Sequence, residues 1–268
     1  IANAFYLSKY INAGILSFDG YGEKTSMCWA LADKYGIKIV DEIEFPHSLG
    51  QFYSAITEFL GFRPDFDEWK VMGASAYGNE LKYLDKLNKI IKIKKNNNFE
   101  LDLSFFNHFN FESPNMFSDK FVSLFGKQRK QKDKIQQKHF DLAASAQKIL
   151  EEYVFSSLLW FKKKYKIKNI CLTGGVFMNS VLNGKIQNSK IFNNVYVPFS
   201  PDDSGNSIGA ALYVYNSLVA NKSKQVFVND TPFLGDSYSD SEIEKIIIFY
   251  KLNYNQSENI SLDTAKLI

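Results

Sequence analysis

The sequence predicts an α/β domain built on a mixed β-sheet, and three observations lead to that fold class. Three strand-like segments follow one another near the start of the chain, joined by turns too short to contain helices. After them, segments with helical periodicity alternate with short apolar strands as far as about residue 220. Hydrophobic residues make up 45% of the 268-residue chain, which is enough to form a substantial core.

The first three strands are predicted over residues 14–18, 25–30 and 37–43. The segments between them are rich in glycine and aspartate, which favour tight turns. Because a parallel connection needs a long crossover, these strands should form an antiparallel meander.

Helices and strands should alternate over the rest of the chain. Apolar residues recur at helical spacing over residues 49–61, and this helix should end at Gly61, before Pro64. Residues 64–140 carry lysine and asparagine runs and clustered phenylalanines, which predicts an irregular, partly flexible insertion. The later elements are predicted as a helix over 140–165, a strand over 169–173, a helix over 176–188, a strand over 195–197 and a helix over 204–219.

The predicted order, βββ-α-insertion-α-β-α-β-α, is the topology of a ribonuclease H-like domain with a mixed sheet. Right-handed crossovers would make the later strands parallel, and such sheets bind ligands beyond the carboxyl ends of their strands. We predict one domain over residues 1–220. Residues 221–268 should form a linker and the start of a further region, with a capping box from Ser239 to Glu242 opening a helix through Ile248.

Composition and charge exclude several function classes. The net charge of +3 is too small for an obligate nucleic-acid binder, and the lysine runs lack interleaved aromatic residues. No apolar segment approaches the roughly 20 residues of a membrane span. Cys28 and Cys171 lie far apart and should be buried free thiols. Without a secretion signal, a cytoplasmic location is expected, and the chain's ends predict a piece of a longer protein.

Asp19 is the first candidate site residue. It directly follows the first strand, in a turn with Gly20 and Gly22 where the backbone can approach a ligand closely. An ordinary hairpin turn with aspartate at a favoured position explains the same pattern. A second candidate position elsewhere in the chain is needed to choose between a ligand-binding turn and an ordinary hairpin turn.

Asp203 supplies that second position. Asp202 and Asp203 follow the last predicted strand and precede a helix, and helix capping, for which one carboxylate suffices, is the simpler explanation of the pair. The topology brings this turn and the end of the first strand to one cleft. Asp19 and Asp203 could therefore hold one divalent cation, although two oxygen ligands are an incomplete set.

A glycine pair forms the third candidate. Gly174 and Gly175 lie in a strand-to-helix turn that can present backbone N–H groups to a nucleotide, although the turn is neither a P-loop nor a dinucleotide fingerprint. Asn179, one turn into the predicted helix, could bind a ribose hydroxyl or simply be solvated. His47 comes just before the first helix, near the expected cleft, and the histidines show no metal-binding spacing.

Taken together, the motifs resemble the nodulation-protein-U type O-carbamoyltransferases, which include antibiotic-tailoring enzymes. The matching segments occur in family order across most of the chain. They are residues 18–23, 47–53, 60–62, 70–73, 77–78, 141–145, 174–176 with Asn179, and 203–205. No single motif is decisive, but the ordered set is specific.

The resemblance implies an actin-like fold of two ribonuclease H-like halves, with this chain supplying mainly the second half. It implies a biosynthetic enzyme in which an activating domain makes carbamoyl-adenylate from carbamoyl phosphate and ATP. The actin-like domain then transfers the carbamoyl group to a hydroxyl of a saccharide or other small molecule. Residues 231–239 look like the linker to the activating domain. The chain alone should be inactive.

The resemblance also assigns site residues. Asp19 and Asp203 match catalytic, metal-binding aspartates, and the metal would be iron-like (Fe²⁺), completed by two histidines of an HxxxH motif placed just before Ile1. The positions that match nucleotide-binding or cleft segments are Gly174, Gly175, Asn179, Ser48, Gly50, Glu68 and Lys70. Trp69 replaces a family glycine, and residues 74–76 replace a Leu-Ala-Pro segment, which alters the local cleft.

Two alternatives belong to other function classes. A non-catalytic nucleotide-binding module of the actin-like superfamily needs the glycine turn but not the aspartate pair. A ribonuclease H-like nuclease is disfavoured, because its chemistry needs a denser carboxylate cluster and a phosphate-binding surface.

Overall fold

The computed structural model describes residues 1–93, 99–219, 231–233 and 235–268. The chain divides into two compact units, Ile1–Asp230 and Thr231–Ile268. The lysine and asparagine run at 94–98 and the predicted domain boundary after residue 220 lie outside the described residues.

The described residues form these secondary-structure elements. The strands are β1 (Ala13–Phe18), β2 (Thr25–Asp33), β3 (Gly36–Glu44), β4 (Ile91–Ile93), β5 (Phe99–Leu101), β6 (Asn169–Thr173) and β7 (Asn194–Tyr196). The helices are α1 (Ala2–Ser8), α2 (Leu49–Phe59), α3 (Glu68–Ser75), α4 (Leu84–Ile90), α5 (Asp119–Phe125), α6 (Gln137–Tyr165), α7 (Ser180–Ser189), α8 (Asn206–Val214), α9 (Asp240–Phe249) and α10 (Ile260–Leu267).

A five-stranded mixed sheet in the order β3-β2-β1-β6-β7 forms the centre of the first unit. The pairs β1–β2 and β2–β3 are antiparallel, which confirms the predicted meander. The pairs β1–β6 and β6–β7 are parallel. The predicted α/β class with a mixed sheet is therefore confirmed, and the carboxyl ends of β1, β6 and β7 lie at one edge.

Helices cover both faces of this sheet. Leu16 and Leu172 pack in a large apolar cluster with α2 and α6. Their neighbours Ile15 and Cys171 pack in a second cluster with α1 and with Leu212 of α8. Because successive strand residues point to opposite faces, the two clusters are the two sides of one sheet. Helix α1, which the sequence pattern did not predict, forms part of the second side.

The long helix α6 lies against the larger face. Tyr153, Leu158 and Phe161 are fully buried on it. Trp29 of β2 donates its indole N–H to Ser157 Oγ at 2.9 Å, which satisfies a polar group inside this apolar layer. The helix begins three residues earlier than predicted, after Gln136.

The prediction of an irregular insertion over residues 64–140 is wrong for its described part. That part contains α3, α4, the β4–β5 hairpin and α5. Phe99, Phe106 and Phe121 are buried in the main core, and the Phe121 ring lies 5.1 Å from that of Phe59 on α2. The phenylalanines have no regular sequence period because they converge from separate short elements.

Two helix boundaries also differ from prediction. A 3-10 turn occupies Gly175–Met178, and α7 begins only after Asn179, so Asn179 caps the helix instead of lying within it. A second 3-10 turn covers Asp203–Gly205 before α8. Such turns are common at helix starts and are not visible in an apolar pattern.

In the second unit, the capping box at Ser239 is confirmed. Ser239 Oγ accepts from the backbone of Glu242, and the Glu242 carboxylate accepts from the backbone of Ser239. The box opens α9 as predicted. Neither α9 nor α10 has buried residues.

Both cysteines are buried and unpaired, as predicted. Burial raises the pKa of the Cys28 thiol to about 11 and that of Cys171 to about 12. Neither thiol is therefore a thiolate near neutral pH.

Within the part of the chain that the structure covers, every helix is too short or too polar to cross a lipid bilayer.

Candidate functional site

The candidate site lies at the sheet edge where β1, β6 and β7 end. Asp19 directly follows β1, Gly174 directly follows β6, and the segment from Pro198 to Asp203 follows β7. This is the edge at which open α/β sheets bind ligands.

The Asp19 carboxylate is the centre of this edge. Its Oδ1 accepts the backbone N–H of Gly20 at 2.8 Å. Burial raises the pKa of Asp19, and hydrogen bonds from Gly20 and Gly175 partly offset that effect. The negative charges of Asp203 and Asp202 raise this pKa further, so the three carboxyl groups are close enough to interact.

The glycine turn packs directly against the Asp19 turn. Gly174 has a φ of 89°, and a Cβ there would lie 2.2 Å from the carbonyl oxygen of Phe18. A Cβ on Gly175 would lie 3.0 Å from Asp19 Oδ1. Gly174 therefore requires glycine, for its backbone conformation and its contact with Phe18, whereas a side chain at Gly175 would need the Asp19 carboxylate to shift slightly.

The same turn is tied to the loop that carries Asp203. Gly174 donates its backbone N–H to the carbonyl oxygen of Pro201 at 2.6 Å. Thr173 Oγ1 donates to the same oxygen at 2.7 Å. Two donors on one carbonyl fix this loop to the end of β6.

The start of α2 supports Asp19 from the other side. Ser48 is the N-cap, and its buried hydroxyl donates to the Asp19 carbonyl at 2.9 Å and accepts from Gln51 N. A Cβ on Gly50 would lie 2.7 Å from both Asp19 O and Gly20 N. In this structure, Ser48 and Gly50 thus position the Asp19 turn. His47 Nδ1 accepts from Leu101 N at 3.2 Å, which gives it a structural partner.

Asn3 on α1 is a site residue that the sequence pattern did not reveal. Its Nδ2 donates to the carbonyl oxygen of Ser200 at 2.8 Å. A Cβ on Gly205 would lie 2.3 Å from the same nitrogen. Asn3 therefore packs tightly beneath the Asp203 loop. A single polar residue in a short apolar run gave no sign of a partner 197 residues away.

Glu68 and Lys70 form a separate group on α3. Glu68 accepts hydrogen bonds from Ser54 Oγ and Asp65 N, both at 2.8 Å, and burial raises its pKa. Lys70 pairs with Asp67 at 2.8 Å. In the described structure, no hydrogen bond or ion pair joins either residue to Asp19 or Asp203. The two residues border α2 instead.

The departures from the family pattern lie on the same helix. Trp69 is 62% exposed, and the Lys70 ammonium lies 5.3 Å from its ring. Residues 74–76 end α3. Trp69 therefore contributes an exposed ring to the surface of α3.

Asn179 caps α7 by accepting the backbone N–H of Leu182 at 2.9 Å. Its side chain also exchanges hydrogen bonds with Gln147 of α6. Gln147 was not predicted as a site residue, because its spacing places it within the apolar pattern of a long helix.

Asp19 and Asp203 offer the hard oxygen ligands that divalent cations prefer. No group of three or more His, Cys, Asp or Glu side chains with metal-binding geometry occurs among the residues described. The carboxylate pair thus fits part of the ligand set of a divalent cation.

Comparison with known proteins identifies relatives over most of the chain. An uncharacterized protein of Synechocystis sp. is 34% identical over 251 residues, which cover 91% of this chain and 40% of that protein. Nodulation protein NolNO of Sinorhizobium fredii is 31% identical, covering 81% of this chain and 30% of that protein. Nodulation protein NolO of Bradyrhizobium diazoefficiens is 30% identical, covering 81% and 37%. The chain therefore spans less than half the length of these relatives.

A family model described as Carbamoyltransferase N-terminus matches residues 1–212. The match includes β1, β6, β7 and the loop of Asp203. It agrees with the resemblance seen in the sequence motifs. The chain belongs to the nodulation-protein-U type carbamoyltransferase family.

Proposed function

We propose that this chain is part of an O-carbamoyltransferase that transfers a carbamoyl group from carbamoyl phosphate, through carbamoyl-adenylate, to a hydroxyl of a sugar or natural product. Family membership supports the transferase class. Because the chain covers 30% to 40% of the relatives described above, the complete reaction is assigned to the protein at its full length.

The sheet supports a ribonuclease H-like, actin-like half as the scaffold. Three antiparallel strands at one side are followed by two parallel strands, in the order β3-β2-β1-β6-β7. In this arrangement the loops after β1, β6 and β7 face one cleft.

One observation carries the proposal: the glycine turn lies against both the Asp19 carboxylate and the Asp203 loop. A Cβ on Gly175 would lie 3.0 Å from Asp19 Oδ1, and the Gly174 N–H donates a hydrogen bond to Pro201 O. Glycine leaves room for a phosphate to approach the backbone of such a turn, and paired carboxylates bind the cation that accompanies the phosphate. A nucleotide with a divalent cation needs both kinds of group side by side.

The residues of this chain have distinct roles in the proposed transfer. The adenylate phosphate would lie against the glycine turn, where no side chain obstructs it, while Asp19 and Asp203 would orient the reacting groups and hold a divalent cation. When bound, that cation supplies Lewis acidity toward the carbamoyl carbonyl. The acceptor oxygen forms a bond to the carbamoyl carbon, the bond from that carbon to the phosphate oxygen breaks, AMP leaves, and the hydroxyl proton passes to solvent.

The first test uses the full-length protein with carbamoyl phosphate, ATP and a divalent metal, in the absence of an acceptor. We expect mass spectrometry to detect carbamoyl-adenylate and its breakdown products. Bound ATP without adenylate would instead favour the non-catalytic nucleotide-binding module. An assay without carbamoyl phosphate is the control, because it should yield no adenylate.

A further inference from the structure

We propose that Gln147 is a positioning residue that holds the nucleotide-binding turn at a fixed distance from the Asp19 side of the site. The inference rests on the proposed function, since it takes the segment from Gly174 to Asn179 as the nucleotide-binding turn. It adds a residue from the middle of α6 that no motif assigned to the site.

Gln147 is 4% exposed and makes four hydrogen bonds. Its Oε1 accepts from Tyr53 OH and from Asn179 Nδ2, each at 2.9 Å. Its Nε2 donates to Glu151 Oε1 at 2.9 Å and to Asn179 Oδ1 at 3.3 Å. A glutamine amide has two donors and two acceptor positions, so all of them are used.

The partners of Gln147 belong to the two sides of the site. Tyr53 is a buried residue of α2, the helix whose first turn holds Ser48 and Gly50 against Asp19. Asn179 follows the glycine turn and caps α7. The amide of Gln147 therefore links the helix behind Asp19 to the end of the turn proposed to bind the nucleotide.

The buried carboxylate of Glu151, which pairs with the half-exposed Lys185, fixes which way the amide points. Glu151 is 6% exposed, and Lys185 of α7 donates to both of its carboxylate oxygens, at 2.8 and 2.6 Å. An ionised carboxylate can only accept, so the NH₂ of Gln147 must face Glu151. The amide oxygen then faces Tyr53 and Asn179, and the orientation that joins the two sides is the only one that satisfies every group.

The sharpest test replaces the Gln147 NH₂ group, which donates to Glu151, with an acceptor. Gln147→Glu keeps an oxygen for Tyr53 and Asn179 but places a second oxygen against Glu151, where the hydrogen bond was. We expect ATP, measured by calorimetry on the full-length protein with Mg²⁺, to bind about tenfold more weakly than to wild type at pH 8. The double variant Gln147→Glu/Glu151→Gln places an amide donor opposite the new carboxylate, and the ratio of its Kd to that of wild type should fall toward one.

Gln137→Glu is a matched control on the same helix. Gln137 Nε2 donates to Asp141 Oδ1 at 2.9 Å with the same four-residue spacing, and Gln137 is exposed. This variant makes the same chemical change ten residues earlier on α6, and its Kd for ATP should equal that of wild type. Gln147→Met is a second variant that keeps the volume but removes the hydrogen bonds of the amide. It should also weaken ATP binding.

Three results would overturn the inference. If Gln147→Glu lowers only the melting temperature and binds ATP like wild type, Gln147 has a structural role alone. If its loss of affinity is the same in Gln147→Glu/Glu151→Gln, the donor to Glu151 is not the cause. If wild type itself does not bind ATP, this inference falls together with the proposed function, whereas the first two results leave the proposed function intact.

Discussion

Gly174 donates its backbone N–H to the carbonyl oxygen of Pro201 at 2.6 Å, so the turn after β6 and the loop after β7 form one unit. Through this bond the position of Asp203 depends on the conformation of a glycine located 29 residues earlier in the chain. Because Gly174 also lies against Phe18, directly before Asp19, the three loops of the site meet at one backbone position.

The first prediction concerns Gly174→Ala. Its φ of 89° and a Cβ placed 2.2 Å from Phe18 O make alanine strained and force the turn to move. We expect the free energy of unfolding to fall by about 1–3 kcal/mol or more, with loss of ATP binding. Gly184→Ala is the control. A Cβ added at Gly184, inside α7, would meet nothing within 4 Å beyond the backbone of its own helix, so this change should stabilise the fold by roughly 0.5–1 kcal/mol. Chemical denaturation measures the free energy of unfolding of both variants.

The second prediction concerns the core of the segment once expected to be irregular. Phe121 on α5 is fully buried and its ring contacts that of Phe59. Phe121→Ala should lower the free energy of unfolding by about 3–5 kcal/mol. Phe111→Ala, at a ring that is 78% exposed, should change it by less than about 1 kcal/mol. Equal effects in urea denaturation would show that the segment does not share the core.

The elements predicted correctly have signals that are local in sequence. The strand β6 was predicted with its observed bounds, because apolar residues run between a lysine-rich helix end and a glycine pair. The segment between α2 and α6 could not be predicted in the same way. Its regular structure depends on contacts between distant residues, such as Phe59 and Phe121, which are 62 residues apart. A periodic sequence pattern does not reveal such contacts.

The candidate site shows the same difference between residues with a local sequence signal and residues whose role depends on distant partners. The sequence points to Asp19 and Gly174 as candidates because turn residues directly after strands mark the ligand-binding edge of a parallel sheet. Asn179 was placed within a helix because a 3-10 turn and a helix share one apolar pattern. Gln147 was missed because its importance comes from Tyr53, a partner 94 residues away.

The third prediction concerns the stability of the fold in acid. His108 is 7% exposed, and its Nε2 lies 2.8 Å from Pro46 O. Burial lowers the pKa of His108 below its unfolded value of 6.5, so the unfolded chain binds more protons between the two values. The stability from neutral His108 is complete above pH 6.5 and is lost as the pH falls toward the folded-state pKa.

His108→Phe removes this titration and keeps an aromatic ring among its aromatic neighbours. Its free energy of unfolding should therefore fall less than that of wild type between about pH 7.5 and pH 5, as measured by urea denaturation at each pH. The pKa of His139 is also lowered, mainly by burial, but its contribution is common to both proteins and cancels in the comparison. Parallel pH profiles would contradict the assignment.

The last prediction concerns Asp203→Asn. Asp203 is exposed, and its Oδ1 accepts only a long bond of 3.2 Å from Asn206 among the described contacts, so the fold should lose less than about 0.5 kcal/mol. The change removes one of the charges that act on Asp19, and with it a proposed oxygen ligand. Carbamoyl transfer by the full-length protein should then fall by about a hundredfold or more. Asp240→Asn, in the first turn of α9, is a control that should leave transfer unchanged. Retained transfer in Asp203→Asn would show that the Asp203 carboxylate takes no part in the reaction, and nucleotide binding would then not depend on the aspartate pair.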